Sequence, residues 1–226
     1  MCGRYTLTST PDQIIAAFGL GGISDLSPRY NIAPTQNVAA VRFAENEAKR
    51  ELVFLRWGLI PSWAKDEKIG NRMINARGET VAAKPSFRHA FKKQRCLIVA
   101  DGFYEWKKLS GKKKQPYLIH AKNKEPFAFA GLWESWRSGD GELESCTIIT
   151  TNANGMMETL HDRMPVILNR DDYETWLDPD FREADALEKL LAPCPDDFLE
   201  AYAVSTLVNS PRNETAECLE PLPDAD

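Results

Sequence analysis

Cys96-Leu97-Ile98-Val99-Ala100 runs directly into Asp101-Gly102-Phe103-Tyr104-Glu105-Trp106-Lys107-Lys108. The first five residues are an apolar run of strand length and predict a buried strand. Asp101-Gly102 breaks it, and the aromatic-rich stretch that follows predicts a second strand. Ser110-Gly111 reads as the turn of a hairpin, because the next strand signal lies at about 116–121. Further strands are predicted at about 126–133, 145–151, 166–168 and 200–206. Towards the N-terminus, 38–44 and 51–58 read as strands joined by the charged turn Glu45 to Arg50, and Tyr5–Thr8 as a short one.

Helices are few and short in this reading. Thr10-Pro11 opens one through about Phe18, with Thr10 as cap and Pro11 in the first turn. Others are expected at about 85–93, 154–160, 171–177 and 183–191. Segment 27–36 carries prolines near both ends and is expected to be irregular. The fold class is therefore α+β: a single domain with a curved, partly closed, mostly antiparallel, barrel-like sheet flanked by short helices. Residues 2–210 are expected to form the domain. Residues 211–226 read as an acidic, polar and loosely held tail.

Of the 226 residues, 43% are hydrophobic and 27% charged, as in ordinary globular chains. No apolar run approaches a membrane span, and no signal peptide is read, so the expectation is a cytoplasmic monomer without a membrane partner. Five cysteines without paired spacing argue for free thiols rather than a disulfide framework. With no Cys-x-x-Cys or His-x-x-x-His pair, neither metal nor cofactor is expected. Charge is unevenly spread. Residues 1–124 hold 22 Lys and Arg against 10 Asp and Glu, whereas 125–226 hold 6 against 23. Such asymmetry hints at a polyanion-binding face. The run Lys112–Lys114 itself reads as a solvated turn.

Met1-Cys2-Gly3-Arg4 opens the chain. Removal of Met1 would give Cys2 a free α-amine beside its thiol. An α-amine has a pKa of about 7.7–8.0, so part of it is neutral and nucleophilic near neutral pH. Such a β-aminothiol condenses with an aldehyde to a Schiff base and then closes to a thiazolidine. Arg4 is expected to lie beside the thiol and favour the thiolate. The bland reading is a cysteine that packs as a small hydrophobe.

Polar residues set in apolar surroundings mark the other candidates. Asn75 can orient an amine or carbonyl, or simply stabilise a turn. Glu105 is a candidate general acid/base, or an outward-facing strand residue. His161 can relay protons, or serve structure alone. Arg4, Arg77 and Arg163 can grip phosphates. Trp57, Trp63 and Trp106 can stack bases, or fill the core.

Six motifs then occur in order: Met1–Tyr5, Arg29–Pro34, Trp57–Trp63, Ile74–Thr80, Ala100–Trp106 and His161–Val166. Together they resemble the SRAP (SOS response-associated peptidase) family, from Cys2 to about Val208. The resemblance implies a sensor of abasic sites in single-stranded DNA that crosslinks itself to the ring-opened sugar. It implies lyase-type and autopeptidase chemistry, and association with the nucleoid when DNA is bound. Cys2 would be the crosslinking residue, with Asn75, Glu105 and His161 around the Schiff base. Arg4, Arg77 and Arg163 would hold the DNA backbone. Pro34, Trp63 and Trp106 would support bases, and Thr150 would lie on the strand behind the pocket. Ala64 stands where some members carry a second aromatic. Two other readings stay open: an N-terminal-nucleophile cysteine peptidase or amidohydrolase, and a non-covalent single-strand binding module.

Overall fold

Every residue of the run Arg95–Ala100 is buried, which places this strand where both of its faces are covered. In the computed structural model, which describes residues 2–23, 26–44, 49–139 and 141–223, it is the sixth strand of thirteen. In chain order these are β1 (Tyr5–Leu7), β2 (Arg29–Ile32), β3 (Asn37–Phe43), β4 (Arg50–Trp57), β5 (Asn75–Arg77), β6 (Arg95–Ala100), β7 (Gly102–Lys108), β8 (Lys114–Ala121), β9 (Phe127–Ser138), β10 (Gly141–Asn152), β11 (Arg163–Pro165), β12 (Ile167–Leu168) and β13 (Leu199–Ala203).

Strands β10, β4, β3, β6 and β9 pair in sequence, and β9 pairs again with β10, so the ring closes into a barrel. Closure removes the exposed edges that an open sheet of these apolar strands would present. The pairings are antiparallel except at β10, which runs parallel to β4 and to β5. A second sheet, in the order β13-β8-β7-β1-β2, leans on the barrel. Tyr5 of β1 joins the two: its ring meets Trp57 edge-on at 5.3 Å and Phe129 at 5.7 Å. Gly131 of β9 lies against β6 so tightly that a Cβ there would come within 2.8 Å of Cys96 Sγ. The α+β single domain with a partly closed, barrel-like sheet is thus the observed fold.

Among the described residues six short α-helices decorate it: α1 (Pro11–Phe18), α2 (Gly78–Val81), α3 (Arg88–Lys93), α4 (Gly155–Glu158), α5 (Tyr173–Leu177) and α6 (Ala184–Lys189). Thr10 caps α1 with a full capping box, exchanging bonds with Gln13. None of these helices is long and apolar enough to cross a membrane.

Several expectations change. Segment 27–36 is not irregular, because β2 fits between Pro28 and Pro34 and pairs with β1. β9 and β10 form a 12-by-12 residue hairpin, longer than the apolar runs that announced them. Beyond Pro211, up to residue 223, the chain is largely exposed but anchored at points rather than loose: Cys218 is fully buried, Glu214 is bonded to β2, and the Leu222 N–H donates to the Ala203 carbonyl at 2.8 Å. The predicted turn at 45–50 falls mostly on residues 45–48, outside the described residues.

Candidate functional site

Cys2 is delivered by β1. The Tyr104 N–H donates to the Arg4 carbonyl at 3.0 Å, which extends the β1–β7 pairing towards the N-terminus and lays the start of the chain beside β7. Cys2 is fully buried. Asn75, the first residue of β5, donates its amide Nδ2 to the Cys2 carbonyl at 2.8 Å. The Asn75 Oδ1 is also buried, with no hydrogen-bond partner among the described residues. A buried amide oxygen without a donor is unfavourable by roughly 1–3 kcal/mol, so this one is set to accept from something. Met1 lies outside the described residues.

Burial pushes the Cys2 thiol well above its ordinary range. The negative charge of Glu105 adds to this, and a hydrogen bond from the Arg4 backbone N–H opposes it. The expected help from the Arg4 guanidinium is not there. That side chain turns away to donate to Asn31 Oδ1 at 2.7 Å, to the Val208 carbonyl at 2.8 Å and to the Asn209 carbonyl at 3.1 Å. The thiol is therefore held protonated.

Glu105 lies on β7 and is almost wholly buried. With His161 it lines an open groove of about 730 Å³, whose other walls include Trp106, Lys107, Lys108 and Lys114. His161 follows α4, and its ring Nδ1 accepts the Arg163 N–H at 3.0 Å. The carboxylate of Asp162 stands 2.8 Å from the same nitrogen. The two compete for Nδ1. A neutral ring takes the N–H and carries its proton on Nε2, whereas a charged ring turns to the carboxylate. Asp162 is 87% exposed, so its pull on the ring is screened by solvent.

β10 organises the remaining residues. Thr150 is level with Arg77 of β5 on one side and with Pro165 of β11 on the other, and Asn152 is level with Arg163. Thr150 is fully buried and takes the Arg163 Nη2 on its carbonyl at 2.7 Å and on its hydroxyl at 3.2 Å. The same guanidinium grips Glu79 with both nitrogens, at 2.6 and 3.1 Å, and holds that carboxyl below its usual range. Arg163 is thus committed internally, as Arg4 is. Arg77 is exposed and makes no ion pair among the described residues.

The tryptophans divide. Trp57 is fully buried and donates to the Ile74 carbonyl, so it belongs to the core and not to a stacking surface. Trp63 is 59% exposed. Its loop leaves β4 through Gly58 at φ 130°, where a Cβ would meet the Gly70 carbonyl oxygen at 2.6 Å. Ala64 anchors the far side by accepting the Trp136 Nε1–H at 2.7 Å. Pro34 is half-buried in the turn after β2. Trp106 is half-buried, its indole donating to Asn209 Oδ1 at 2.7 Å.

Residues 1–211 match the pattern of the family described as SOS response associated peptidase (SRAP). The chain belongs to the SRAP family. It is 50% identical over 224 residues to the abasic site processing protein YoqW of Bacillus subtilis, covering 97% of this chain and 99% of that one. It is 32% identical to the abasic site processing protein HMCES of Xenopus tropicalis, over 97% of this chain and 78% of that protein. A crystal structure of a protein from Bacteroides thetaiotaomicron superposes with a TM-score of 0.84 at 27% identity, covering 98% of this chain and all of that one.

This SRAP chain has working residues that the sequence did not single out. Glu79, the anchor of Arg163, stood unremarked inside the Ile74–Thr80 motif. Asn31, fully buried, donates to the carbonyls of Val208, Ser210 and Asn213. Glu214 takes the backbone N–H groups of Tyr30 and Asn31 and pairs with Arg29. Residues 206–214 are thereby strapped to β2 and, through Arg4, to the start of β1.

Proposed function

We propose that this protein processes abasic sites in single-stranded DNA, using Cys2 with Met1 removed to trap the ring-opened sugar as a thiazolidine. The observation that carries the reading is the Asn75 amide. Its Nδ2 holds the Cys2 carbonyl, and its buried oxygen stands ready to accept from an α-amine on the same residue. The names of the similar proteins supply the lesion.

The amine nitrogen attacks C1′ of the aldehyde, giving a carbinolamine. Glu105 takes a proton from the nitrogen and passes one to the departing hydroxyl, water leaves, and a C=N bond forms. The Cys2 sulfur then bonds to C1′, and its proton passes to the nitrogen. A thiol held neutral by burial suits this order, because it keeps sulfur from competing in the first step. His161, at the open side, would move protons when the ring reopens or when β-elimination gives a lyase side reaction. The rival amidohydrolase needs the thiolate as first nucleophile, which burial disfavours.

An abasic single strand should yield a denaturant-stable, slow-migrating band with the wild type and none with Cys2→Ala. Mass spectrometry of the active protein should show Met1 missing. A band of equal strength from Cys2→Ala, or from protein acetylated at its N-terminus, would overturn the reading. Release of ammonia from glutamine, with no band, would favour the amidohydrolase.

A further inference from the structure

We propose that Lys107, Lys108 and Lys114, on the β7–β8 hairpin, form the phosphate path along which a single strand leaves the site, an inference that rests on the function proposed above. Three observations converge. First, all three lysines line the same groove as Glu105 and His161. Its volume of about 730 Å³ is in the range that takes a drug-sized ligand, so a sugar at Glu105 leaves room for the adjoining backbone. Lys107 is two residues on from Glu105 and so shares its face of β7, while Lys108 and Lys114, directly opposite each other in the register, alternate to the other face near the hairpin end and line the groove as well.

Second, the lysines have no ion pair among the described residues; Arg77 shares that state, but the other two arginines expected to grip the backbone are committed internally. Arg4 is spent on Asn31 and the 208–209 carbonyls, and Arg163 on Glu79 and Thr150. Cations already satisfied internally gain little from a phosphate, whereas unpartnered lysines release counterions when one binds. Third, the opposite lip of the groove carries Glu158 and Asp162. A phosphodiester is repelled there and attracted to the hairpin, so the groove has a polarity that selects one wall for the backbone. Glu105 reaches the sugar from that same wall.

The test measures affinity against salt with a single strand carrying tetrahydrofuran in place of the abasic sugar. This analogue has no aldehyde, so the readout does not depend on any covalent step. Single-strand binding loses about 0.7 in log–log slope per phosphate contact released, so the triple variant Lys107→Gln/Lys108→Gln/Lys114→Gln should bind with a slope shallower by about 2. At low salt its affinity should fall on the order of 10²-fold. Lys112→Gln/Lys113→Gln, at the turn beyond the groove, is the control and should match the wild type. A triple variant with the wild-type slope, or a control that falls equally, overturns the phosphate path. A wild type that traps no true abasic sugar instead overturns the proposed function and leaves this measurement readable.

Discussion

Two neighbouring regions of the site are built on opposite principles. Around Cys2, which is fully buried, the polar groups are largely committed to protein partners: the carbonyl to Asn75, the Arg4 guanidinium to Asn31 and the 206–214 strap. Past Glu105 the groove is open, lined with unpartnered lysines, and flanked by an exposed Asp162. In the first region, geometry is set by protein partners before any ligand arrives. In the second, charge waits for a partner from solution. The division separates positioning of the nucleophile from capture of the strand, and changes in the two regions should therefore fail differently.

The largest effect is expected from Asn31→Ala in the buried region. It removes one donor from each of the carbonyls of Val208, Ser210 and Asn213 and leaves Arg4 with one acceptor fewer. Each intramolecular hydrogen bond contributes about 1 kcal/mol net, so losing this set should cost about 3 kcal/mol, as read by urea unfolding. A loss under about 0.5 kcal/mol, the size of an ordinary surface change, would show that the strap is not a structural part of the site.

Asn75→Ala should act on rate more than on stability. With the Cys2 carbonyl released, the attacking group loses its orientation, and adduct formation at saturating DNA should slow about 10²-fold. Quenched time courses read by gel would check this. An unchanged rate would mean that β1 alone positions Cys2, and the contrast between the two regions would shrink to one of burial.

Trp63→Ala probes the open side. Base–aromatic stacking contributes about 1–3 kcal/mol per base, and affinity for the tetrahydrofuran strand should weaken by that amount. Phe54 is a suitable comparison, since it is 50% exposed but lines a different, apolar groove beside Leu26 and Ile32. Phe54→Ala should leave affinity alone. Equal losses from the two would show that exposure of an aromatic ring, rather than its place on the DNA side, sets binding.

The sequence carried the barrel because its strands are apolar runs of the right length, and Cys96–Ala100 fixed the centre. It marked Asn75, Glu105 and His161 as candidates because they are polar residues beside apolar or aromatic neighbours. It could not say which way a cation turns. Arg4 meets its acceptor 204 positions away, and Arg163 meets Glu79 84 positions away, distances at which local pattern is silent. Nor could it separate Trp57 from Trp63. They lie in one motif, yet the chain turns at Gly58 and sends one into the core and the other to solvent. β2 was hidden because the prolines flanking it drew attention from the four residues between them.

The smallest effect concerns pH and the protonated thiol. Cys2 in the fold is shifted upwards by burial first and by Glu105 second, whereas in the unfolded chain a thiol titrates at about 8.5. Below that value both states hold the proton, and the buried thiol's contribution is fully present. Above it the unfolded state releases a proton that the folded state keeps, so stability falls as pH rises. One unit above the unfolded value, the loss is about 1.4 kcal/mol for a single thiol. The wild type should therefore lose about that much more than Cys2→Ala between neutral pH and about 9.5, as read by urea midpoints. Parallel curves for the two proteins would mean that the Cys2 thiol ionises in the fold as it does in water. Sulfur could then attack as early as the amine, and the sequence of amine first and sulfur second would lose its physical basis.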